Sequence, residues 1–210
     1  MAIFSSDSGK NYEPVPAGNF VARCYQMIHI GTVVENYMGE NKEMDKVRIV
    51  FELPTELKVF KEEEGPKPLS ISKEFTNSLS EKANLRKFLE GWRGKGFLAE
   101  ELKKFDITKV LGKPCMLSII HKTSKQGKVY ADISSVSVLP KGLTCPDQIN
   151  PSFEFNYMPF DEKKFNMLPD WLKDKIKTSK QYKEWQNPYN QEVPSDNDMD
   201  NIDENEDLPF

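Results

Sequence analysis

No stretch of this chain stays apolar for the roughly 20 residues that a membrane-spanning helix needs, and no apolar segment follows a basic start. The expectation is a soluble chain with no membrane contact and no export. Cysteine is scarce: Cys24, Cys115 and Cys145 are far apart in sequence, form no Cys-x-x-Cys pair, and have only His29 and His121 to join them. That speaks against zinc ligation and a disulfide framework, and leaves reduced thiols and no metal as the simpler reading. Both histidines sit in apolar runs, where a packed or edge imidazole is a plainer role than a ligand. Catalytic signatures are missing too. Gly91 to Gly96 reads Gly-Trp-Arg-Gly-Lys-Gly, but Phe97 and Leu98 stand where a phosphate loop requires Lys and Ser or Thr. No Gly-x-Ser-x-Gly or His-Glu-x-x-His motif occurs, and the carboxylates fall on loops and solvated faces. Neither an enzyme nor a bound cofactor is expected.

Charge is abundant and unevenly spread. Of 33 acidic residues, eight lie in the last twenty positions, Gln191 to Phe210, which hold no base. The 29 basic and 25 acidic residues that remain give residues 1–190 a charge of +4, against −4 for the whole chain. A mildly basic body thus carries a strongly acidic arm. The arm has too few apolar residues to offset the entropy of ordering, so a disordered tail is expected over 188–210. It ends in Asp203, Glu204, Glu206, Asp207, Leu208, Pro209 and Phe210. The final phenylalanine offers a ring and a carboxylate together, which a pocket with a basic rim can capture. A merely solubilising tail is the alternative.

This ending resembles the acidic tip, closing in Pro-Phe, of bacterial and bacteriophage single-stranded DNA-binding proteins, with Leu208 where isoleucine is usual. The resemblance implies a partner-docking tip that recruits replication and repair proteins and competes with DNA for the protein's own basic surface.

After a polar lead-in over 1–16, punctuated by Pro14 and Pro16, the body alternates in a strand pattern. From Gly18 to Ile30, Phe20, Ala22, Cys24, Ile28 and Ile30 share one face, with Arg23, Tyr25 and His29 on the other. Residues 31–45 lose the period, turn polar and read as an exposed hairpin loop. Lys46 to Leu53 is a second strand that sets Val47, Ile49, Phe51 and Leu53 against Lys46, Arg48, Val50 and Glu52, with Pro54 ending it. An acidic loop over 61–68 leads to a third strand, Leu69 to Thr76, whose apolar face is broken by Lys73.

A helix follows, with a capping box at Ser78 and Glu81 and an apolar stripe of Leu85, Phe88, Leu89 and Trp92. Residues 99–105 add a short helix. Lys113 to His121 and Val129 to Leu139 are strands four and five, joined by a turn whose three cations, Lys122, Lys125 and Lys128, face no acid. Residues 141–187 form an irregular strap and then helical pieces around Pro169, with Trp171 counted among their apolar residues.

Strand, strand, strand, helix, strand, strand is the order of the five-stranded OB barrel, with its helix between strands 3 and 4. The expected fold is mainly β: an OB-fold barrel over 17–140, an appended C-terminal helical segment and the acidic tail. A small α+β sheet has the same element order and stays open as an alternative. OB barrels bind oligonucleotides on the strand two and three face and with the one-two and four-five loops. Single strands are held by a basic groove and by rings on which bases stack. The candidate contacts are Arg23, Tyr25, Lys46, Arg48, Lys73, Lys122, Lys125, Lys128 and Tyr130, with packing as the plain alternative for the aromatics and an ordinary solvated hairpin for the turn lysines.

The segments YEPVPAGNFVARCYQMIHIGT, NLRKFLEGWRGKGF, GKPCMLSIIH and SSVSVLPKG resemble those of bacteriophage replication-module proteins taken to be single-stranded DNA-binding proteins. The likeness spans roughly 12–185. It implies an OB fold, a role in phage DNA replication, recombination or repair, and residence in the cytoplasm of an infected bacterial host. It assigns no DNA contacts, and those of the bacterial barrel do not carry over. Two other readings remain: a replication adaptor whose barrel grips protein, and a nuclease.

Overall fold

The computed structural model describes residues 13–37 and 39–187. Most of the expected lead-in lies outside the described residues, as does the acidic arm with its tip of Asp203, Glu204, Glu206, Asp207, Leu208, Pro209 and Phe210. Among the described residues the protein is mainly β. Its strands are β1 (Gly18–Tyr37), β2 (Glu40–Val59), β3 (Pro66–Thr76), β4 (Pro114–Thr123), β5 (Val129–Ser137) and β6 (Phe153–Phe155). The helices are α1 (Asn84–Arg93), α2 (Ala99–Lys103), α3 (Glu162–Asn166), α4 (Asp170–Lys177) and α5 (Lys180–Gln186). No helix among them is long and apolar enough to cross a membrane.

The antiparallel path runs β3-β2-β1-β4-β5, and β6 joins β1 in parallel. The sheet is open between β3 and β5, where no ladder forms. One side chain spans that gap: Lys73 of β3 reaches the Asp132 carboxylate of β5 at 3.0 Å and also the Ile133 carbonyl. Lys73 interrupts the apolar face of its strand because it emerges at this seam.

Two cores sit on opposite faces of β1. Ala22, Cys24 and Met27 point inward with Val47, Ile49, Phe51 and Leu53 of β2, Ile71 and Phe75 of β3, and the α1 stripe Leu85, Phe88, Leu89 and Trp92. Ile28, Ile30 and Val33 point outward, under Phe165, Leu168, Leu172, Ile176 and Tyr182 of α3 to α5. The expected single apolar face of the first strand is therefore wrong. Register shifts between Cys24 and Gln26 and between His29 and Gly31 add a residue each, and every added residue inverts the side-chain phase.

Other expectations change with it. The polar segment 31–45 is not a loop but an extension of β1 and β2 into a long hairpin arm, paired from Thr32↔Asp45 to Tyr37↔Glu40. Gly31 permits its base. Its backbone is left-handed at φ +89°, and a Cβ there would meet the Gln181 amide oxygen at 2.7 Å. Pro54 does not end β2. An irregularity between Leu53 and Leu57 absorbs it, and residues 57–59 pair with 66–68, which shortens the expected acidic loop to the turn around Glu62–Glu64.

The capping box fails: Ser78 accepts from Ser80 N within its own loop, and α1 begins at Asn84 after Ala83. Glu101 instead accepts from Leu98 N at the start of α2. The strap contributes β6, and the three cysteines converge: Cys115 lies opposite Ala22 in the β1–β4 ladder, and Cys145 Sγ sits 3.8 Å from the Ala22 carbonyl. All three are free thiols.

Candidate functional site

Two side chains that face each other across β1 and β2 hold the strap. Arg23 donates to the carbonyls of Gly112 (2.7 Å) and Pro146 (2.8 Å). Glu52, fully buried, accepts from Ile149 N, Asn150 N and Asn150 Nδ2 at 2.8–2.9 Å. A buried carboxylate is tolerated here because three donors replace its water. Arg23, a candidate contact, thus spends its guanidinium on the strap and on the turn before β4.

Alternating charges pin α4 to the sheet. Lys46 pairs with Glu35 at 2.7 Å, Glu35 with Lys175 at 3.0 Å, Lys175 with Glu74 at 2.7 Å, and Glu74 with Arg48 at 3.3 Å. Burial works to raise the Glu35 carboxyl, but the two lysines outweigh it and hold the group below its ordinary value. Lys175 is held above its own ordinary value: burial opposes this, and Glu74 and Glu35 prevail. The Arg48 guanidinium also lies 4.7 Å from the centre of the Trp171 ring, a cation–π contact from α4.

Strap and helices cover the outer face of β1, and α4 reaches Arg48 and Glu74 on β2 and β3; the part of β2 and β3 that faces the β4–β5 hairpin stays open. A cleft of about 340 Å³ runs there between Arg48, Val50, Ser70 and Ser72 on one wall and Lys128 and Tyr130 of the β4–β5 hairpin on the other. Three candidate contacts, Arg48 of β2 and Lys128 and Tyr130 of the β4–β5 hairpin, so meet in one cleft. Tyr130 is 44% exposed. Tyr25 borders it through a hydrogen bond with Ser70; burial raises its phenol above the ordinary value and that bond opposes the rise.

Lys125 stands exposed at the hairpin tip. Like Lys128, it has no carboxylate in reach among the described residues. Lys122 and Lys73 both bond Asp132. Burial works to raise that carboxyl, but the two ammonium groups hold it below its ordinary value. Lys46 and Lys73 line a separate groove of about 900 Å³ between β3, β5, α1 and the arm.

Sequence reasoning missed Trp171 as a surface ring: it is 52% exposed. The signal was its place one position off the Leu168, Leu172, Ile176 stripe that alone is buried. Among the described residues, no three His, Cys, Asp or Glu side chains converge as metal ligands would. No protein-family model matches the chain, and no curated protein matches its sequence.

Proposed function

We propose that this protein binds single-stranded DNA without sequence preference on the open β2–β3 side of its sheet. The observation that carries the reading is the cleft in which Arg48, Lys128 and the exposed Tyr130 ring meet. Cations along a groove hold phosphates, and a ring accepts any base on its π-face. Strand order and the helix between β3 and β4 support an OB-type barrel, partly open, with Lys73 bridging the strands that would close it.

In this reading the protein protects single strands during phage DNA replication or recombination in the cytoplasm of the bacterial host. Its acidic tip recruits partner proteins, and in the absence of DNA the arm, eight acids against a +4 body, lies on the basic surface. The alternative is an adaptor whose sheet grips protein. Its support is the β2–β3 hairpin end, where Leu57, Val59 and Phe60 are each more than half exposed.

The test is a fluorescence titration with a thymine oligonucleotide and a matched duplex across salt concentrations, for the intact chain, for one ending at Gln191, and for K128A/Y130A. Binding confined to the single strand, weakening with salt and strengthened by truncation, is expected. The double variant should lose about 1–3 kcal/mol of stacking as well as one phosphate contact. Equal affinity for duplex and single strand, or an unaffected double variant, would remove the proposal.

A further inference from the structure

The cleft at the hairpin and the larger groove are two parts of one seam. The cleft is lined by residues 70–72 of β3 and by Lys128 and residues 129–131 of β5, and the groove by residues 73–76 of β3 and 133–136 of β5. Both strands pass from the first opening into the second in the same direction. At the junction stands the Lys73 bridge to Asp132 and Ile133. Seven residues of extended β3, Ser70 to Thr76, correspond to about 20 Å of path. The groove then carries this path onward to the loop before α1.

Its charge is suited to a polyanion. The two carboxylates that line the groove are both engaged, Glu35 with Lys46 and Lys175, and Glu74 with Arg48 and Lys175. Lys82 and Lys87 line it as exposed cations and bond no carboxylate among the described residues. Hydroxyls of Ser78, Ser80 and Ser135 add donors along the walls. A phosphate in this groove meets two free ammonium groups and no free carboxylate of the lining.

We infer that the single strand does not stop at the hairpin cleft but follows the seam into the groove, where Lys82 and Lys87 hold its phosphates, so the binding track spans both openings. This rests on the proposed single-strand function and adds its length and its far end. The experiment compares thymine oligonucleotides of about six and about sixteen nucleotides, within the range of single-strand site sizes on such barrels, for the intact wild type, K82E/K87E, and the control K104E/K109E. The control reverses two exposed lysines that line neither opening.

K82E/K87E should bind the longer strand on the order of tenfold more weakly at low salt, with its log–log salt slope shallower by about 1.4, and should bind the short strand like wild type. K82A/K87A, expected to shift the same way by less, replaces the reversal if its melting curve shows that it has not folded. An unchanged affinity for the longer strand, an equal loss on both lengths, or an equal loss in the control would each overturn the track while leaving single-strand binding intact. Wild type that binds neither length would remove the proposed function itself, and the track with it.

Discussion

Glu52 gives the sharpest test of how the strap is held. Its carboxylate has no solvent exposure and spreads three donors over two oxygens: Ile149 N on Oε1 at 2.9 Å, and Asn150 N and Nδ2 on Oε2 at 2.8 Å each. Glu52→Ala leaves two backbone N–H groups without an acceptor. At about 1–3 kcal/mol for each unsatisfied donor, the loss is about 2–6 kcal/mol, a large share of the roughly 5–15 kcal/mol that holds a domain folded.

Glu52→Gln keeps the shape. Its amide turns its oxygen to the two donors of Asn150 and its NH₂ to Ile149 N, so one donor is orphaned, at about 1–3 kcal/mol. Urea denaturation should therefore rank wild type above E52Q and E52Q above E52A. Amide exchange at Ile149 should accelerate in both variants, and that at Asn150 chiefly in E52A. An E52A midpoint that costs less than about 0.5 kcal/mol, the level of an ordinary surface change, would refute the clamp.

Gly91→Ala improves helix propensity by about 1 kcal/mol, yet its Cβ would stand 2.8 Å from the Val136 carbonyl oxygen of β5. The variant should lose about 1–3 kcal/mol in a urea melt, and a gain would contradict the close packing of α1 on β5. Acid should destabilise the fold through Asp132, Asp45 and Glu35: burial opposes their ionisation, but Lys122 and Lys73, His29 and Asn77, and Lys46 and Lys175 outweigh it and hold all three below their ordinary values. Their stabilisation is complete above the unfolded carboxylate range near pH 4 and fades as pH falls below it; a urea midpoint as high at pH 2.5 as at pH 6 would oppose this. Burial pushes the Cys24 thiol up to about 12 and Cys115 well above its usual value, and raises the half-buried Cys145 as well. Iodoacetamide mapping at pH 8 should label Cys145 first and the other two only on unfolding, and equal labelling would contradict their burial.

Where the chain alternates without interruption, its structure was readable. Val47, Ile49, Phe51 and Leu53 fall on the inner face as their period dictates, and so does the α1 stripe from Leu85 to Trp92. What defeated the reading was local exceptions with no periodic signature. Bulges in β1 send Ile28 and Ile30 to the opposite face from Cys24, and a single inserted residue leaves no mark in hydropathy. Pro54 has the sequence signature of a stop, yet the strand continues past it. The polar arm over 31–45 carries too few apolar residues to reveal itself, because its pairing rests on the backbone. The site was legible in part: Arg48, Lys128 and Tyr130 share a cleft, but that Arg23 is taken up by the carbonyls of Gly112 and Pro146 could be learned only from the fold.

The second core decides which part of the sheet can act. Ile28, Ile30 and Val33 on the outer face of β1 require cover, and α3 to α5 supply it, so that face is closed and the strand proposed here is confined to the cleft beside β2 and β3 and the seam beyond. That confinement divides the labour among the cations. Arg48 is already balanced by Glu74 and held under Trp171, and Lys73 and Lys122 share Asp132. A phosphate reaching these groups exchanges one anionic partner for another, which orients a strand and adds little net attraction. Lys125 and Lys128 at the hairpin, like Lys82 and Lys87 in the groove, have no such partner among the described residues, so in the proposed binding mode counterion release comes chiefly from these four. In that proposed mode the hairpin tip draws the strand in, the paired cations of the seam fix its course, and Lys82 and Lys87 hold its far end.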